Sequence, residues 1–376
     1  MNKKMAIGFF TAFILIQSGL NAQLRDTRIG PPDSISYNLS FDFASTWFFK
    51  NNEYSNDFTR GFTGIGYLTQ PRFAFAISEK SELMAGAFLQ QYSGRDGYSK
   101  VIPLFSITQK LGRRSELIFG HIKGTLNHEL EEPLLRFDSY YLNAVEYGFQ
   151  LRSRSKAVRY DFWLNWQDFI EEGDAFQEAF QLGWTSALRL TKTKLSLYWP
   201  IQVLVTHRGG EIDSSEEGVL SVFNLLSGIQ ARIDLGSDRS LSLEPLYFYF
   251  TAPSVPLTGI NALALDNGHA LYVKLSYKTK VFNILAGYWQ ASNFFAPGGE
   301  SLFHSISDYK SDFTQENRSI LNAKMAWSPG IFKNMDLSLR LDLYYDTEAQ
   351  QLAHAAGLYL VFNERFFLRN LFDRRL

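Results

Sequence analysis

The segment Tyr37-Asn38-Leu39-Ser40-Phe41-Asp42-Phe43-Ala44-Ser45-Thr46-Trp47 sets Tyr37, Leu39, Phe41, Phe43, Ser45 and Trp47 at odd positions. Asn38, Ser40, Asp42, Ala44 and Thr46 stand between them. A period of two sends these sets to opposite faces of a β-strand. The pattern recurs in pairs of segments joined by short polar turns. Ala144–Arg152 meets Val158–Gln167 through Ser153-Arg154-Ser155-Lys156, and Phe176–Leu190 meets Leu195–Thr206 through Thr191-Lys192-Thr193-Lys194. Val219–Leu235 meets Leu241–Phe250 through Gly236-Ser237-Asp238-Arg239. With Tyr37–Trp47 at one end and Ala355–Asn363 at the other, the count is sixteen strands. It falls to fourteen if the pair Val101–Gly124 or the last strand is misread.

What surrounds these strands follows from the ends of the chain and its composition. Lys3 and Lys4 precede an apolar run, Ala6 to Ile16, and the stretch to Ala22 ends on a small residue. This is the form of an export signal, expected to be cleaved from residues 1–22. Its apolar run is too short to span a bilayer. The chain has no cysteine, which removes disulfides, thiolate metal sites and a lipidated N-terminal cysteine. Without residues 1–22 there remain 35 basic and 38 acidic residues, a formal net charge of −3. No basic excess points to nucleic acid. No later stretch is apolar over the length of a membrane helix, so a membrane protein of this sequence must be a closed barrel whose strands leave no open edge.

Charges in mid-strand opposite the apolar face, such as Asp161, Lys274, Lys324, Arg340 and Asp342, fit a wet lumen better than the filled core of a soluble sandwich or propeller. Trp47, Tyr92, Trp166, Tyr288, Trp327 and Tyr345 gather near strand ends, as in an interfacial girdle. On this architecture residues 35–363 resemble a bacterial outer-membrane β-barrel of porin size: all-β, transmembrane, antiparallel and up-and-down, with about 16 strands. The resemblance implies the outer membrane of a Gram-negative bacterium, with short turns and both termini in the periplasm. Residues 23–34 would then be a short periplasmic N-terminal segment and 364–376 a short periplasmic tail. The chain ends Phe372-Asp373-Arg374-Arg375-Leu376, not on the aromatic residue common in that class.

Two groups of residues are candidates for function. The polar phase of the strands offers Asp42, Arg72, Arg159, Asp161, Lys274, Lys324, Arg340 and Asp342 as a lumen lining of mixed sign, which would set ion preference and orient solutes. The loop Thr125–Asn143 (TLNHELEEPLLRFDSYYLN) joins Glu129, Glu131, Glu132, Arg136 and Asp138 to Leu130, Leu134, Leu135 and Phe137. An acidic loop with apolar surface can fold inward, and in the resemblance it stands where general porins carry their constriction. The longest loop, Ala291–Ser319, holds Phe294, Phe295, Phe303 and Tyr309 beside Pro297-Gly298-Gly299. Either a self-packed lid or a contact surface accounts for it. The small residues Ala85, Gly86 and Ala87 mark the outer face for contact with a subunit or partner.

The six histidines are scattered, and no metal-binding spacing appears. A barrel lipase needs a serine and a histidine on the lipid-facing surface with an orienting group. The segments around His121 and His354 do not supply that arrangement. The expectation is therefore a porin-like channel passing small polar solutes passively, with no cofactor, no metal and no enzymatic activity. The rival is an accessory, non-enzymatic barrel subunit of an envelope complex whose lumen is closed or unused. The expected partners are outer-membrane lipid and small polar solutes, with a homo-oligomer or an envelope complex also open and no nucleic acid.

Overall fold

The computed structural model describes Asp26 and residues 37–191, 193–253, 263–311, 313–330 and 335–371. The expected export signal, Val255–Ile260 and the C-terminal Phe372–Leu376 lie outside the described residues. The chain forms one closed antiparallel barrel. Its first five strands are β1 (Asn38–Ser55), β2 (Arg60–Ala76), β3 (Ser81–Tyr92), β4 (Lys100–Lys110) and β5 (Ser115–His121). Next come β6 (Tyr147–Arg154), β7 (Val158–Asp168), β8 (Ala179–Arg189) and β9 (Leu195–Arg208). β10 runs through Leu220–Gly228 and Gln230–Gly236, followed by β11 (Arg239–Thr251), β12 (Asn267–Lys278) and β13 (Phe282–Ser292). β14 (Asn317–Trp327), β15 (Met335–Asp346) and β16 (Gln351–Asn370) complete the wall.

The two pieces of β10 are one strand. Both pair with β9 and with β11, and the register is the same on either side of Ile229. Ile229 faces Pro245 and donates its N–H to the Pro245 carbonyl at 3.1 Å. Proline has no N–H to return, so the ladder lapses for one residue. Closure comes from β1, which pairs with both β2 and β16. The last strand runs to Asn370, past the expected end at Asn363, and its register pairs Asn38 with Asn370.

The outward face is apolar. Phe73, Phe105, Trp184, Leu275 and Leu341 are exposed on it, as lipid contact requires. The inward face differs from the expected wet lumen. Its half nearest the short turns is polar. The half nearest the long loops is lined by apolar side chains packed against loop residues. Phe248, Phe250, Tyr272 and Trp289 enclose Leu134, Phe294 and Phe303 in one core. Phe48, Leu68, Phe88 and Leu104 enclose Leu126, Phe137 and Tyr141 in a second. Each such side chain, taken fully from water, contributes roughly 1.5–3 kcal/mol. Sixteen strands leave room inside a barrel, and here loops occupy it.

Candidate functional site

The loop between β5 and β6 crosses the lumen and is tied to the wall on several sides. Near its start, His128 lies between Glu146 and Asp161, with Nε2 2.9 Å from a Glu146 oxygen and Nδ1 3.0 Å from an Asp161 oxygen. Burial opposes charging of this imidazole. The two carboxylates outweigh it and push the pKa up to about 9. The ring stacks on Trp163, centroids 3.7 Å apart. Glu131 N–H donates to Gln202 Oε1 at 2.9 Å, and Gln202 Nε2 donates to the Glu129 carbonyl at 3.0 Å.

The expected constriction residues all lie on this crossing segment, and most pair with the wall. Glu129 meets Arg154 at 2.9 Å, and Glu131 meets Lys274 at 2.7 Å. Glu132 is bound by Lys324, accepts from Tyr344 Oη at 2.7 Å and lies 3.8 Å from Arg340. Asp138 accepts from Asn52 Nδ2 at 2.8 Å and lies 3.6 Å from Lys50. Arg136 donates its backbone N–H to the Gly298 carbonyl at 2.8 Å, which joins this loop to the segment between β13 and β14.

The lumen candidates also pair, largely with one another or with the loop. Arg340 holds Asp342 at 2.7 Å. Lys274 also reaches Glu244 at 3.2 Å. Asp161 accepts from Gln150 Nε2 at 2.9 Å as well as facing His128. Asp42 takes a double hydrogen bond from Arg365, and Arg72 stands 4.0 Å from it. Arg159 lines a cavity of about 170 Å³ beneath the crossing loop, and Asp42 and Arg72 line a second of about 180 Å³. Both cavities lie toward the short-turn end. Among the described residues most of these charges pair with the loop or with one another, and they form no ring of one sign.

The segment between β13 and β14 seals the long-loop end. Glu300 N–H donates to the Glu132 carbonyl at 3.0 Å, and Trp289 Nε1 donates to the Phe303 carbonyl at 3.1 Å. Buried Arg318 donates to the carbonyls of His304 (2.6 Å) and Leu302 (3.0 Å) and to Asp346 at 2.9 Å. A Cβ on Gly299 would fall 2.0 Å from the Pro133 carbonyl oxygen, so only glycine lets the two loop backbones approach this closely. Burial, with Asp138 nearby, pushes Glu300 up to about 7. Burial holds His304 down to about 3, its Nε2 3.4 Å from the Pro133 carbonyl.

The outer face carries a polar pair that the linear sequence conceals. His207, near the end of β9, and Ser221, near the start of β10, are direct cross-strand partners. Both fall in the outward phase, after Val203 and Val205 on one strand and before Phe223 and Leu225 on the other. Ser221 Oγ lies 2.8 Å from His207 Nδ1. Phe180 stacks on the imidazole at 4.8 Å, and Trp166 stacks on Phe180 at 5.4 Å. These four side chains form one level across β7 to β10 at the long-loop rim.

A family model described as "Lipid A 3'-O-deacylase-type" matches residues 30–371. The chain belongs to this family. The expectation of no enzymatic activity is thereby corrected, because the lipid A 3'-O-deacylase-type family is defined by an enzyme. The sequence reading weighed histidines by their chain neighbours and so did not bring His207 and Ser221 together. Fourteen residues separate His207 from Ser221, and only the β9–β10 register joins them. The available signal was two polar residues at outward positions next to one long loop.

Among curated proteins, none matches the chain. Solved structures share its fold. OprD from Pseudomonas aeruginosa is 9% identical, with a TM-score of 0.52 over 90% of this chain and 96% of that one. OccK11 from the same organism is 10% identical, with a TM-score of 0.52 over 91% and 100%. A BenF-like porin from Pseudomonas fluorescens Pf-5 is 10% identical, again at 0.52, over 89% and 100%. The likeness is one of architecture: an outer-membrane barrel of porin size.

Proposed function

We propose that this chain is an outer-membrane hydrolase that removes an O-linked acyl chain from lipid A or a closely related lipid. The observation that carries the reading is the loop-filled lumen in a chain of a deacylase-type family. An acylated glycolipid cannot thread a barrel whose long-loop half is packed with Phe294, Phe303, Leu134 and Phe137. The lipid is instead reached from the side, where the apolar outer wall already meets it. With the long loops on the outer surface, as in outer-membrane barrels generally, the aromatic rim stands at the level where acyl esters leave the hydrocarbon. The test is incubation of the purified protein with lipid A in mixed micelles, followed by mass spectrometry of the lipid. Loss of one ester-linked chain is expected. Lipid A of unchanged mass after prolonged incubation, at high enzyme ratio, overturns the reading.

A second reading is passage of small polar solutes through the lumen. The charged cavities of about 170 and 180 Å³ below the crossing loop favour it. It requires the plug to move. Stable single-channel conductance in planar bilayers that rises when Glu131 and Glu132 are both changed to Gln supports it. A silent bilayer with the folded protein removes it.

A further inference from the structure

We propose that the short-turn half of the lumen holds a binding site for a small soluble phosphate or phosphate ester, built on Arg154 and Arg159. Arg154 is the last residue of β6 and Arg159 the second of β7, and the two are direct cross-strand partners. Both stand in the inward phase, Arg154 after Arg152 and Arg159 before Asp161, and both are half-buried. Like charges set opposite one another across two strands are destabilising. An anion held between them removes that cost. Glu129 of the crossing loop meets Arg154 at 2.9 Å. Among the described residues no carboxylate stands within ion-pair reach of Arg159.

The surroundings suit an oxyanion of modest size. Both arginines line the cavity of about 170 Å³ beneath the crossing loop, together with five further Lys or Arg residues and five Asp or Glu. All five acids already have partners. Asp161 faces His128, and the others face cations of the lining. The lining therefore holds seven cations against five carboxylates, and a phosphate group, which carries close to two negative charges at neutral pH, balances the excess. A guanidinium offers its N–H groups as a fork that matches phosphate oxygens. Ser240, Ser242, Ser276 and Gln230 add hydroxyl and amide donors on the same cavity. A cavity of roughly 150 Å³ accepts benzene, so this one admits phosphate or a small ester and turns away a glycolipid. Arg154 ends β6, Lys278 ends β12 and Ser240 is second in β11, so the cavity reaches the level of the short turns. Beyond it the inward phase continues with Arg189 and Arg232 against Asp234. The loop-packed half closes the other direction, and the ligand enters from the short-turn side as a solute. Such a site is compatible with a deacylase and with a channel.

The test is calorimetric titration of inorganic phosphate into the purified full-length protein in a zwitterionic detergent, at neutral pH and constant ionic strength. Wild type is compared with Arg159→Gln, Glu129→Gln and Arg113→Gln, each checked for the β-sheet circular dichroism of the wild type. Arg113 is exposed in the short turn between β4 and β5 and serves as the control. Saturable binding at a single site is expected. Arg159→Gln should weaken it by about 10-fold or more, Glu129→Gln should tighten it by releasing Arg154, and Arg113→Gln should leave it unchanged. A folded wild type that shows neither saturable heat nor a rise in unfolding temperature with phosphate overturns the site. So does a folded Arg159→Gln that keeps the wild-type affinity, or an equal loss in Arg113→Gln. If Arg159→Gln does not fold, Glu129→Gln decides, and binding that fails to tighten there overturns the site. Phosphatidylglycerol micelles separate the two sources of phosphate. Their headgroups stay outside the wall and should not compete, whereas displacement of bound phosphate by them would put the site on the lipid-facing surface and overturn the lumen assignment.

Discussion

Trp163 fits beside His128 because residue 183 is glycine. The two are cross-strand partners, and a Cβ at position 183 would fall 2.0 Å from the indole ring. Gly183→Ala is expected to displace the indole, destabilise the protein by about 1–3 kcal/mol and shift the fluorescence of Trp163. Chemical unfolding and emission spectra check it, and an unchanged midpoint refutes it. His128 itself makes the fastening of the crossing loop depend on pH. Its folded pKa of about 9 lies above the free value of 6.5. Its contribution is therefore complete below about 6.5 and is lost as pH rises through 9. His128→Gln should flatten that alkaline loss in a pH series of thermal unfolding. At this scale the sequence was informative about which side chains face inward and silent about their partners. Asp161 and Lys274 were assigned to the lumen from strand phase alone, whereas His128 between Glu146 and Asp161 depends on how a loop folds across a barrel.

The seal between the two loops is an element-scale device, and its chemistry predicts how it loosens. Glu300 is buried, and burial raises its folded pKa from the ordinary 4.5 to about 7. The folded state therefore holds its proton more tightly. The associated stabilisation is complete below about 4.5 and disappears as pH rises through 7. Glu300→Gln should remove this slope, leaving the variant more stable than the wild type at pH 8 and no more stable at pH 4. Hydrogen exchange of residues 293–316 at the two pH values measures the effect, and a slope that survives the substitution refutes the assignment. Gly299→Val attacks the same seam sterically, and faster exchange in both loops is expected, since Pro133 and Gly299 can no longer meet. The inward fold of the Thr125–Asn143 segment was foreseeable from its mixture of acids and leucines. The apolar lining that receives it was also written in the strands. In β11 the inward series runs Ser242, Glu244, Leu246, Phe248, Phe250, turning from polar to aromatic toward the long loop. Alternation read over whole strands averages out that change, which is why a wet lumen was expected.

For the whole molecule, strand number, closure and inside-out phase were legible because period two and turn length are local properties of the chain. Cross-strand pairs such as His207 with Ser221 were not, because register decides them: a shift of one residue between β9 and β10 would set His207 beside an inward side chain instead of Ser221. The same global geometry fixes a testable direction. The short connections, such as that containing Lys156, all stand at one end of the barrel, and the long ones, such as that containing Ala175, at the other. If the long-loop rim carries chemistry on outer-leaflet lipid, it must face the cell exterior. The chain contains no cysteine, so single cysteines report orientation without a background. Ala175→Cys in intact cells should react with a membrane-impermeant maleimide. Lys156→Cys and Asp238→Cys, both exposed in short turns, should react only after the envelope is opened. Labelling of the short-turn cysteines in intact cells would place the long-loop rim at the inner leaflet of the membrane and exclude lipid A on the outer leaflet as the substrate.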